Sequence, residues 1–143
     1  MNEPRQKQFL AAGKEGCLFF VLCQRAEGVT GAYIDSYLKY LYFTRTTLPG
    51  KLFIMEDNCY VNDIAVLFST LTGQAWTCTK EDVSYTLKAG ELEITRLEKA
   101  VSPTVTATHF VGTDGTGFVD YDPLGADLTG WKPAKKYILR RTS

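Results

Sequence analysis

Five side chains in this chain can carry nucleophilic or metal chemistry: Cys17, Cys23, Cys59, Cys78 and the lone His109. No two cysteines form a C-x-x-C pair, and one histidine cannot complete a zinc-finger ligand set. A structural metal is not expected, nor is an organic cofactor. The chemistry left open is that of a thiol activated by one imidazole base. Cys17 follows Gly16 and opens the apolar run Cys17-Leu-Phe-Phe-Val-Leu-Cys23. A helix starting there sets its dipole and free N–H groups against the sulfur, which favours the thiolate. The competing reading is a core cysteine, because Leu18, Phe19 and Phe20 follow at once and cysteine is among the most buried residue types. Cys23 reads as core, Cys59 as a second exposed thiol near a helix start, and Cys78 has no distinguishing context.

His109 lies in a β-branched, alternating stretch, Thr104 to Val111. Alternation puts Val105, Ala107, His109 and Val111 on one face. Thr113-Asp114-Gly115-Thr116 is a hairpin signal, and Phe118 to Tyr121 returns. With Asp114-Gly115 as a two-residue turn, His109 stands opposite Asp120 and diagonal to Asp122. A carboxylate beside an imidazole fixes its tautomer and stabilises the imidazolium. The alternative is that both aspartates are turn and strand-end acids near Pro123 and Gly125.

Gly16-Cys17 opening an apolar helix, then Thr108-His109-Phe110-Val111 and Phe118-Val119-Asp120-Tyr121-Asp122-Pro123, resemble papain-like cysteine peptidases. The resemblance is nearest to the bacterial bacteriocin-processing, double-glycine-leader peptidases and their small bacterial and phage relatives. It spans about Gln8 to Gly125 and rests on those two short blocks. It implies Cys17 as nucleophile, His109 as base and Asp122 as orienting acid, with Asp120 the alternative acid. It implies Gln8 as an oxyanion donor, nine residues before the cysteine. The substrate implied is a peptide, protein or other amide. Leu18 replaces the small residue that usually follows the nucleophile, and Gln8 lies further upstream than is usual. Both departures suit a second reading, a catalytically inactive papain-like binding module of bacterial or phage origin.

The elements that must hold these residues divide the chain into a helical first half and a β-rich second half. Met1 to Glu15 reads as an irregular arm. Helices are expected over about 16–27, over about 30–43 capped by Thr30, and over about 58–71 with Gly73 as stop. The first is hydrophobic all round, so a buried strand is its alternative. Strands are expected over 74–79, in a hairpin 85–95 turning at Ala89-Gly90, in the 104–121 hairpin, and over 137–141. Helices first and antiparallel strands after indicate an α+β fold, helices packed on a C-terminal antiparallel sheet; the resemblance makes it papain-like, one domain over 1–143.

Composition agrees with a globular chain. Of 143 residues, 45% are hydrophobic and 13% aromatic, enough for a sizeable core. Sixteen Lys+Arg balance sixteen Asp+Glu, so a nucleic-acid partner is not expected. The apolar run of seven residues is too short for a membrane span, and nothing in it reads as a signal peptide. Free thiols in a reducing, cytoplasmic compartment are therefore expected. The cations Lys132, Lys135, Lys136, Arg140 and Arg141 read as edge-strand charge and a solvated tail. The tyrosines Tyr33, Tyr37, Tyr40 and Tyr42 read as amphipathic packing.

Overall fold

The computed structural model describes residues 17–125 and 127–142. The expected arm over 1–15 and Gln8 lie outside them. Three helices come first: α1 (Cys17–Thr30), α2 (Ser36–Phe43) and α3 (Ile64–Thr72). Five strands follow: β1 (Trp76–Glu81), β2 (Leu92–Ala100), β3 (Thr106–Thr113), β4 (Val119–Tyr121) and β5 (Lys132–Arg141). They form one antiparallel sheet in the order β1-β5-β2-β3-β4. The α+β expectation therefore holds.

The all-round hydrophobicity of α1 reflects burial, since Phe19, Phe20, Val21, Leu22 and Cys23 are all covered. Helix α1 packs on β3 and α3, and its side chains join Ile94, Tyr121 and Leu139 of the sheet in the main core. Phe19 meets Phe43 edge-on, and Phe68 meets Trp76 in the same way. These rings seal α1 to α2 and α3 to β1.

Helix starts are later than the hydrophobic pattern suggests, because aspartates set them. Asp35 caps α2 by accepting from the N–H groups of Tyr37 and Leu38, so Thr30 ends α1 instead of opening α2. Thr30 spends its hydroxyl on Ala26 O one turn back. Asp63 caps α3 through Val66 N, and Gly73 closes it in the left-handed region at φ 72°. The expected helix from Asn58 is shortened because 44–62 forms a folded loop pinned by two isolated bridges, Thr47–Phe53 and Met55–Val61. Inside that loop Cys59 is fully buried at φ 70°, not exposed as expected.

The hairpin expected over 85–95 does not form. Tyr85 to Lys88 carries no strand; Glu91 instead anchors that loop by accepting from Tyr85 OH and Lys88 N. That releases β2 to pair with β3 on one side and β5 on the other. Strand β5 begins at Lys132 and lies inside the sheet, so its cations are not edge gatekeepers. Three of them are paired: Lys135 with Asp82, Lys136 with buried Glu93, and Arg140 with Glu91 and Glu81. The tyrosines divide: Tyr37 and Tyr42 are exposed, while Tyr40 packs against the core and donates to Asp57 O. No helix among the described residues is long and apolar enough to cross a membrane.

Candidate active site

Cys17 is the first described residue of α1 and is buried. His109 sits in the middle of β3, paired with Leu97 of β2. Asp122 follows the last residue of β4. A helix from the first half of the chain meets a hairpin from the second half here.

His109 Nε2 lies 2.7 Å from Asp122 Oδ1. The same oxygen accepts from Leu124 N at 3.0 Å, an Asx turn that the Asp-Pro-Leu sequence favours and that holds the carboxylate in place. Cys17 lies close enough to act on the imidazole, through both hydrogen bonding and charge. Asp122, His109 and Cys17 thus form one interacting group.

Burial pulls the His109 pKa down, and hydrogen bonds and charge from Asp122 and Cys17 more than reverse it, pushing it up to about 9. Both partners favour the protonated imidazole. Burial drives the thiols of Cys59 and Cys78 the opposite way. Cys59 is pushed up to about 12. Cys78 is pushed up to about 11 by burial, with Arg140 lowering it and Asp63 adding to the rise. Neither is a nucleophile at neutral pH. Cys23 is fully buried in the core, as expected.

Asp120 and Asp122 have separate fates. The turn is longer than two residues: Asp114 N bonds Phe118 O, and Asp114 Oδ1 accepts from the Thr116 N–H and hydroxyl. A bulge follows, pairing Thr113 with Val119 but Gly112 with Tyr121. Asp120 consequently does not stand across from His109. It points to α1 and pairs with Arg25 at 2.9 Å. Asp122 comes level with Val111, diagonal to His109, and makes the contact.

Comparison with known proteins finds no significant match to any family model, curated protein or solved structure. The site must be judged on its own geometry. Among the described residues, no group of three or more His, Cys, Asp or Glu side chains could hold a metal ion.

Trp131 escaped the sequence reading. Its ring stands edge-on to His109, centroids 6.0 Å apart, just before β5 begins. Its only sequence signal is an aromatic residue after Gly130, too common to single out. Cys17 and His109 are themselves only 3% and 5% exposed.

Proposed function

We propose that this chain is a papain-like cysteine peptidase or amidohydrolase acting on a peptide-type amide. The observation that carries the reading is the grouping of Asp122, His109 and Cys17, with His109 Nε2 2.7 Å from Asp122 Oδ1 and Cys17 acting on the same ring. A histidine raised by both a carboxylate and a thiol is the base that a cysteine nucleophile needs.

The reaction follows from those parts. The Cys17 thiolate attacks the carbonyl carbon, forming a C–S bond and moving the carbonyl π pair onto oxygen. Backbone N–H groups at the α1 start are suited to that oxyanion; one good donor in such a site is worth about 3–4 kcal/mol. Gln8 is the further donor implied by the resemblance. Collapse breaks the C–N bond, and the protonated His109 gives its proton to the leaving amine. Neutral His109 then takes a proton from water, whose oxygen attacks the thioester. Collapse of this second adduct breaks the C–S bond, releases the acid, and returns the thiolate beside the imidazolium that took the proton of water. Asp122 holds the ring throughout and stabilises its charged form.

A second reading, a binding module on the same scaffold, draws on the burial of Cys17 and His109 and on the bulky Leu18. A peptide carrying a vinyl sulfone separates the two. The enzyme reading expects one covalent adduct on Cys17, absent in Cys17→Ala and slowed at least about tenfold in His109→Ala. A folded wild type that forms no adduct supports the binding module instead.

A further inference from the structure

The side chain that ties the three site-bearing elements together is Arg25, two turns along α1 from Cys17. Its Nη2 donates to Thr113 O of β3 at 3.0 Å and to Glu93 O of β2 at 3.1 Å. The same nitrogen lies 2.9 Å from Asp120 Oδ1 in β4. Nη1 meets Gln24 Oε1 at 3.1 Å. One guanidinium therefore touches the helix that carries Cys17, the strand that carries His109 and the strand that leads into Asp122.

Its position depends on a glycine. A Cβ on Gly112 would lie 2.6 Å from Arg25 Nη2 and 2.9 Å from Asp120 Oδ1. The backbone of Gly112 is not in the left-handed region, so its missing side chain matters for space and not for backbone freedom. Strand β4 needs the tie most. It is three residues long, sits at the sheet edge and is bulged where it joins β3. Two backbone pairings join it to β3, and Asp122 follows immediately.

We propose that Arg25 is a positioning residue, which locks α1, β3 and β4 in the register that brings Cys17, His109 and Asp122 into contact. The proposal rests on the Cys17–His109–Asp122 reading. Only an arginine fits: its planar fork meets several acceptors at fixed angles, whereas a lysine ammonium is a point charge on a flexible stem. Removing the fork frees β4 to move relative to β3, and a small displacement of Asp122 weakens its bond to Nε2.

The lone histidine gives a single imidazole Cε1–H resonance, whose titration reads the site without any substrate. In the full chain, wild-type His109 is expected to titrate near 9. Arg25→Gln and Gly112→Ala should each lower that midpoint by at least one unit and slow iodoacetamide labelling of Cys17 about tenfold. Arg25→Lys should fall between them and wild type. Leu71→Ala, in the core at the far end of α3, is the stability control; it should lower the melting temperature and leave the midpoint unmoved. Should Arg25→Gln prevent folding, Gly112→Ala and Arg25→Lys carry the test. A wild-type midpoint near 9 that survives Arg25→Gln or Gly112→Ala overturns the positioning role, as does an equal shift in Leu71→Ala. A wild-type midpoint near the ordinary 6.5 overturns the triad itself, and the positioning role with it.

Discussion

Burial alone would make His109 a neutral base, because taking an imidazolium out of water is costly. Asp122 and Cys17 reverse that outcome, so the folded state binds the His109 proton more tightly than the unfolded chain does. Stability follows by linkage. The contribution is fully present below about pH 6.5, the unfolded value, and is lost as pH rises through about 9. Its size is about 3 kcal/mol over that window. Urea unfolding midpoints measured between those limits should fall with pH in wild type. Asp122→Asn, which removes the carboxylate charge, should flatten the dependence; an unchanged slope would contradict the assignment. That Cys17, His109 and Asp122 would lie together was legible in the sequence, from their types, their order and the resemblance. Asp120 was misread because one bulge at Gly112–Thr113 changes which acid faces the imidazole, and a bulge leaves no mark in the alternation pattern.

The helices and strands were legible where periodicity was long, and misread where a polar contact set the boundary. Hydrophobic spacing located α1, α3 and β3, but Asp35 and Asp63 decide where α2 and α3 begin. The side chain of Asp63 takes one of the donors that α3 leaves open, so Asp63→Ala should cost about 1 kcal/mol. Thermal unfolding should show a drop of several degrees, while Asp63→Ser should recover most of it. No loss in Asp63→Ala would mean that β1 and the core hold α3 without its cap. The false hairpin over 85–95 has a similar cause. Ala89-Gly90 is a turn signal and alternation surrounds it, yet Glu91 turns back to bond Tyr85 and Lys88 and takes that segment out of the sheet. Tertiary hydrogen bonds of this kind cannot be read from local pattern.

The whole molecule depends on β5, which enters the sheet between β1 and β2 although it comes last in the chain. Its central place required its cations to be neutralised. Glu93, almost fully buried, takes the Thr113 hydroxyl on one oxygen and Lys136 on the other, and Thr113 in turn meets Thr95 at 2.8 Å. Breaking such a buried pair strands a charge. Lys136→Met should therefore cost about 3–5 kcal/mol, and Lys136→Met with Glu93→Leu should cost much less. Equal losses in the two variants would show that the ion pair is not what Lys136 contributes. Strand order was the feature least accessible from sequence, because β5 pairs with residues far away in the chain, from Lys132 opposite Glu98 of β2 to Arg141 opposite Trp76 of β1.

Site-resolved alkylation of the native protein tests the central claim most directly. All four thiols compete for limiting iodoacetamide at neutral pH, and the modified peptides are quantified by mass spectrometry. Cys17 should react first and keep that lead, with Cys59 and Cys78 held back by their raised pKa values and Cys23 by the core. His109→Ala should erase the lead. Equal labelling of the four thiols, or a Cys17 that stays unmodified until the chain unfolds, would contradict the account.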